Sequence, residues 1–245
     1  MIVNNTEQGW EIIYQRAHGL LAAEIGQHWN VNERPKRWIE TIIAISDHDD
    51  DQQYWHGKHH LTSQGTPQDF EFQAPDLIQA KRVVEASKFK SGWIRLLIST
   101  HFHNLYKDLK FEDKKIDDFL SEQAQIRKKL LKELGIKNIA LDEAYRLMYW
   151  CDRTSLILCK NKIPPDEKLL EIGEGPNGIS YSLSQRKNGS IKITPWPFAI
   201  DSFEVIVETR LIKTMVFDND DQLHQTLEKS TIKEKKWNFK KEQDA

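Results

Sequence analysis

Five residues in this 245-residue chain are of types, and at positions, that could hold a metal: His18, His48, Asp49, His101 and Asp152. In order they spell H…HD…H…D, and each sits in or at the end of an apolar stretch with helical spacing. His18 shares a helical face with Leu21, Ala22, Ile25 and Trp29. The His48-Asp49 pair ends the run of Trp38, Ile39, Ile42, Ile43, Ala44 and Ile45, which is apolar nearly all round. His101 repeats with Trp93, Leu96, Leu97, Asn104 and Leu105, whereas His103 falls on another face. Asp152 lies on the stripe of Leu141, Tyr145, Met148, Ser155, Leu156 and Cys159. A buried aspartate is costly unless it is paired, hydrogen-bonded or bound to a cation. Asp152 alone could be satisfied by Arg153, by Ser155 or by an inter-helix salt bridge. The metal expectation comes from coincidence, since separate helical segments each bring a ligand-type group inward. Imidazoles and carboxylates gathered inside helices make a cage for a divalent ion with room for a water.

The elements that must position these groups follow from the pattern. Ile2-Val3 and Trp10 to Tyr14 flank a polar turn ending in Gly9 and predict a hairpin. Helical periodicity then runs through Gln15–Trp29, a segment opened by Pro35, Asp76–Phe89, the Trp93–Leu105 stretch, Ile116–Leu134 closed by Gly135, and Leu141 to about Asn161, where Pro164-Pro165 stops it. After Leu170 the period becomes two. Ile179–Gln185 and Ser190–Thr194 flank Asn188-Gly189, and Phe203–Glu208 alternates again. Asp218–Lys229 predicts a short helix. The expected architecture is mainly α: a single domain with a helical core over residues 15–161, a small antiparallel sheet from segments 1–14 and 170–217, and a solvated charged tail at 230–245. Residues 50–75 are long for a plain connection and predict a lid in which Trp55, Phe70 or Phe72 contributes the apolar wall of the site.

Hydrophobic residues make up 39% of the chain, enough for a proper core, and the net charge of −2 offers no general attraction to nucleic acid or to an anionic membrane. No apolar run is long enough to span a bilayer, and Met1 to Gln15 lack the order of a signal peptide, so a cytoplasmic protein handling a small molecule is expected. Cys151 and Cys159 would stand ~12 Å apart on one helix, too far for a disulfide.

Several of these segments resemble the HD-domain superfamily of metal-dependent phosphohydrolases. Ala17-His18-Gly19-Leu20-Leu21-Ala22 is similar to its first-histidine helix, Ile42 to Asp49 to its name-giving HD step, Leu97 to His103 to its intervening histidine helix, and Tyr149 to Leu156 to its closing aspartate helix. The combination looks more like a bacterial HD-like family of undefined role than any one enzyme branch. The resemblance spans residues 15 to 160 and implies a helical bundle with a divalent ion (Mn, Fe, Ni, Mg or Zn) on His18, His48, Asp49 and Asp152, and with His101 as an extra ligand or phosphate-facing group. It further implies hydrolysis of a phosphoester or nucleotide by a metal-activated water, with Asp49, Asp50 and His101 in catalytic roles and Trp55, Phe70 and Arg153 touching substrate. One departure stands out: where many HD enzymes continue with a glycine and a lysine, this chain has Asp50, Asp51 and Gln52. Such carboxylates repel phosphate, so the alternative is an HD-like module that binds a metal or ligand without turnover. A bundle whose inward polar groups only pair with one another is the third option.

Overall fold

The structure is a computed structural model and describes residues 1–49, 60–73, 76–109 and 113–242. Helices form where the apolar period is helical: α1 (Gln15–Gln27), α2 (Trp38–Asp47), α3 (Leu77–Ser87), α4 (Gly92–Tyr106), α5 (Lys114–Leu134), α6 (Asn138–Cys159) and α7 (Asp220–Lys229). Several start on side-chain caps that satisfy their free N–H groups, Asp76 for α3, Ser91 for α4, Asp113 for α5 and Asn219 for α7. Gly135 ends α5 in the left-handed conformation. The middle of α6 is apolar on several sides because it runs through the centre of the molecule: Leu147, Met148, Trp150 and Cys151 are fully buried, and α1, α2, α4 and the sheet all pack on it. Both cysteines are buried free thiols with their pKa pushed up by that burial.

The strands are β1 (Ile2–Thr6), β2 (Gly9–Ile13), β3 (Leu170–Glu174), β4 (Ser180–Gln185), β5 (Ile191–Thr194), β6 (Ser202–Ile212) and β7 (Ile232–Lys240). They make one seven-stranded sheet in the order β1-β2-β6-β7-β5-β4-β3, antiparallel except where β5 meets β7. This overturns the expected architecture. The fold is α/β, with a large mixed sheet, rather than a helical bundle carrying a small antiparallel one. The error lies at the C-terminus. Residues 230–245, expected to be a solvated tail, contain β7, which pairs with β6 from Ser202↔Lys240 to Arg210↔Ile232 and joins the two halves of the sheet. Lys236, Asn238 and Lys240 face outward, and lysines dominate the composition, while Trp237 and Phe239 face the core at period two. The Phe239 ring stacks on Phe203 at 4.9 Å.

Sheet and helices meet along an aromatic seam. Trp29, just after α1, contacts Trp150 of α6 edge-on at 5.1 Å and Tyr181 of β4 at 5.5 Å. Such pairs add to the area that large rings bury. Glu24 of α1 accepts a hydrogen bond from the Ile206 amide of β6 at 3.0 Å, and His28 stacks on Phe203, so α1 is fixed to the sheet as well as to α6.

The segment expected to be a lid divides. Residues 50–59, with Asp50 and Trp55, and Pro75 lie outside the described residues. Residues 60–73 pack on the sheet: the Val3 amide donates to Asp69, the Phe70 amide to the Met1 carbonyl, the Phe217 amide to the Gly65 carbonyl and the His60 amide to Asp220. Lys160 at the end of α6 pairs with Asp69 at 2.9 Å. Among the described residues no helix is long and apolar enough to cross a membrane.

If β7 is a core strand, Phe239→Ala should cost about 3–5 kcal/mol, as other deletions of a buried phenyl ring do. Lys240→Ala on the outer face should leave stability nearly unchanged. Denaturant melts of the two variants check this, and a Phe239→Ala protein as stable as the parent would show β7 to be peripheral.

Candidate metal centre

The expected ligands come together at one end of the packed helices. His18 sits in the second turn of α1, His48 caps the C-terminus of α2 with Asp49 directly after it, His101 is in α4 and Asp152 in α6. Their approach depends on a missing side chain. A Cβ at Gly19 would lie 2.5 Å from the Ser46 carbonyl oxygen, so α1 and α2 touch backbone to backbone one residue from His18.

The site is graded in depth. His18 and His48 have side chains 0% and 1% exposed, Asp152 12% and Asp49 20%, which leaves Asp49 at the open edge. His18 Nε2 is 3.1 Å from Asp49 Oδ2, and His48 Nε2 is 3.2 Å from Asp152 Oδ1 and 3.8 Å from Asp49 Oδ2. The His48 ring stands 5.0 Å from that of His18 and 4.9 Å from that of His101. Two overlapping groups, His18 with His48 and Asp152, and His48 with Asp49 and His101, hold their ligand atoms within 4.8 Å of one another. Two ligands on opposite sides of an ion at ~2.3 Å are ~4.6 Å apart, so these spacings suit one coordination shell.

The imidazoles are oriented by their outer nitrogens. His48 Nδ1 donates to the Ile45 carbonyl at 2.7 Å, leaving Nε2 to face the carboxylates. The Ser155 hydroxyl donates to the Asp152 main-chain carbonyl at 2.8 Å, so its oxygen accepts from His18 Nδ1 at 3.2 Å; that nitrogen stands 3.7 Å from Asp152 Oδ1, while Nε2 is turned to Asp49. Partners of this kind fix tautomer and ring angle in metal sites. The Nδ1 atom of His101 is buried with no hydrogen-bond partner among the described residues.

Electrostatics push the same way. Burial raises the Asp49 and Asp152 carboxyls, but His48 and then His18 outweigh it and hold both below the ordinary carboxylate range. Burial lowers His48, yet the charges of Asp152 and then Asp49 draw its pKa up to about 10. Burial and the neighbouring His48 charge push His101 down to about 4, which keeps it neutral. With no cation bound, a proton on His48 offsets part of the negative charge. A divalent ion would replace that proton, and metal binding here would release it. The donor set, its spacing and the partnerless nitrogen of His101 fit a divalent ion.

Of the other expected site residues, Asp50 and Trp55 lie outside the described residues. Phe70 is held at the sheet by its bond to Met1, with the Lys160 ammonium over its ring at 5.2 Å. Arg153 is exposed and donates weakly to the Tyr149 hydroxyl and to the Glu171 carbonyl of β3. Neither is brought to the ligands, because Phe70 belongs to the segment that covers the sheet and Arg153 leaves α6 on the side facing β3. Two residues were not foreseen. Gln15 is buried at the start of α1, with Nε2 3.0 Å from Asp49 Oδ2 and 3.3 Å from His18 Nε2. Its signal was available, since it lies one turn before His18 on the same face. Tyr145 lies near His101, with rings 6.4 Å apart, and its hydroxyl is raised by burial and by the Asp152 charge.

A family model described as "Protein of unknown function (DUF3891)" matches residues 1–214. The chain belongs to that family. The DUF3891 match takes in every candidate ligand and ends before α7 and β7. No curated protein and no solved structure matches the chain.

The shifts set the pH dependence of the metal-free protein. His48 is raised above its unfolded value of ~6.5, so its contribution is complete below that pH and is lost as pH rises towards about 10. Asp49 and Asp152 are depressed, so theirs is complete above ~3.9 and is lost as pH falls below it. His101 adds a third limb: it is depressed to about 4, so the unfolded chain takes up its proton first and stability falls as pH drops from ~6.5 towards 4. Thermal melts of chelator-treated protein should therefore peak near pH ~6.5, declining above it through His48 and below it through His101 and then the two carboxylates. His48→Gln should remove the alkaline decline, and a parent-like alkaline limb in that variant would assign it elsewhere.

Proposed function

We propose that the protein is a metal-dependent hydrolase of HD type that acts on a phosphoester or nucleotide. The supporting observation is the convergence of three imidazoles and two carboxylates from four chain segments into two sets of three that share His48, each with ligand atoms close enough for one ion. A bound divalent ion would supply Lewis-acid polarisation of a phosphoryl oxygen and a water acidified for attack. His18, His48 and Asp152 form the inner wall that holds the ion. Ser155 and the Ile45 carbonyl keep the two imidazoles pointed inward. Asp49, at the open edge, completes the shell where substrate must arrive. His101, kept neutral by burial, offers a free lone pair to the ion or to a donor on the substrate.

One observation favours binding without turnover. Among the described residues the ion-pair partners of Asp49 and Asp152 are histidines, with no lysine or arginine to meet a phosphate. Under that reading the metal site is retained and hydrolysis is not.

Metal-stripped protein should take up Mn, Fe, Ni, Mg or Zn, and a panel of phosphoesters and nucleotides with each ion separates the two readings. Asp49→Ala should lose metal and any hydrolysis while leaving the helical fold largely intact, since the carboxylate follows the buried apolar run of α2 instead of sitting inside it and its removal opens no large core cavity. Asp152→Ala should lose metal too and also cost ~1–3 kcal/mol, because it leaves buried imidazoles without a partner. Metal titration and melts of both variants check this. Parent-like metal stoichiometry and affinity in Asp49→Ala would remove the basis of the reading and leave internally paired polar groups as the better account.

A further inference from the structure

We propose that Gln15 is a coordinating residue, presenting its side-chain carbonyl oxygen Oε1 to the same divalent ion as His18 and Asp49. The inference rests on the metal reading above and adds a ligand to it.

Three observations carry it. The first is geometric. The Gln15 amide terminus, His18 Nε2 and Asp49 Oδ2 form a triangle with sides of 3.0, 3.1 and 3.3 Å. Adjacent donors in an octahedral shell with bonds of ~2.1 to 2.3 Å are about 3.0 to 3.3 Å apart, so the triangle has the dimensions of one octahedral face.

The second is the shared carboxylate oxygen. Asp49 Oδ2 stands within hydrogen-bond distance of both His18 Nε2 and the Gln15 amide, so without a metal one oxygen serves two neighbours that are themselves 3.3 Å apart. A cation inside the triangle would let all three atoms direct lone pairs at it once the amide presents oxygen.

The third is that Gln15 is 5% exposed and its Oε1 atom is buried with no hydrogen-bond partner among the described residues. A half-turn about the terminal side-chain bond exchanges Oε1 and Nε2 with almost no change in shape. The NH2 group then occupies a place where no donor stands close enough to bond Oε1, so it meets no like group there. Neutral carboxamide oxygens are ordinary ligands of hard divalent ions, and the face dimensions point to a six-coordinate ion such as Mn2+ or Mg2+ ahead of tetrahedral Zn2+.

The test compares the metal-stripped full chain with Gln15→Ala and Gln15→Glu. Binding of Mn2+ and Co2+ is titrated, the visible absorption of the Co2+ complex is recorded, and each protein is melted without metal. Gln15→Ala should weaken both ions at least about tenfold and intensify the Co2+ bands as a ligand is lost. Gln15→Glu keeps an oxygen in place and should bind at least as tightly as the parent. If Gln15 served only as a donor to Asp49, the new carboxylate would repel Asp49 and weaken metal, and that result overturns the proposal. Parent-like affinity and spectrum in Gln15→Ala overturn it as well, while leaving the metal site standing. A parent protein that binds neither ion removes the metal reading and the proposal together. The metal-free melts separate a folding defect from a lost ligand, and Gln15→Glu decides the case if Gln15→Ala does not fold.

Discussion

Everything at the candidate metal centre depends on how closely α1 approaches α2. That distance is set by the absence of a side chain at Gly19, whose missing Cβ would fall 2.5 Å from the Ser46 carbonyl. The same helix repeats the device at Gly26, where a Cβ would crowd Cys151 Sγ of α6 at 3.1 Å and Ile42 of α2 at 3.3 Å. With both contacts closed, α1 lies in the groove between α2 and α6, and His18 reaches Asp49 and Asp152 in one stroke. Interiors packed this tightly relax little. A methyl group at Gly19 would therefore act on the chemistry by displacing a ligand, though it touches none.

The second constraint is electrostatic. Two carboxylates and three imidazoles are gathered where water is scarce, and each pays for desolvation unless an opposite charge answers it. The side chains answer one another only in part. His48 can carry a proton for Asp152, yet His101 stays neutral, and its Nδ1 and Gln15 Oε1 are buried without a hydrogen-bond partner among the described residues. A cluster chosen only for stability would be expected to satisfy every member, as the Asp69–Lys160 pair does by adding bonds from the Val3 and Glu71 amides. The contrast between a fully bonded buried pair and an incompletely bonded cluster distinguishes scaffold from site within one molecule.

Much of this was legible in the sequence, for reasons that differ by element. Helices carrying Leu21, Ile25, Leu97 or Met148 at regular steps declare an inward face, and a polar residue on that face declares itself with them. His18, His101 and Asp152 were visible on that basis. The β4–β5 hairpin was visible through Asn188-Gly189. β7 was not, because Lys233, Lys235, Lys236 and Lys240 outweigh Trp237 and Phe239 in any average, although the two rings alternate as a half-buried strand requires. β3 was hidden by Gly173 and by a register shift between Glu171 and Gly173 that breaks the alternation. Segment 60–73 read as a lid through its polarity and turns, but its backbone donors and Asp69 are used to dock on β1. Nothing local encodes that destination, since the partners lie far away in the chain. Arg153 was misplaced for a simpler reason: the residue after an inward one on a helix points about 100° away.

The position of β7 bears on the order of events during folding. The hairpin of β1 and β2 and the helices from α1 to α6 can begin to associate through short-range contacts. The β3–β4–β5 unit, however, reaches the rest of the sheet only through β7. The parallel step from β5 to β7 requires a crossover that passes through β6 and α7, the kind of non-local pairing that forms slowly. A nascent chain therefore carries two unjoined half-sheets, each with an open edge, until its final strand is released. In that interval it is vulnerable to edge-to-edge association.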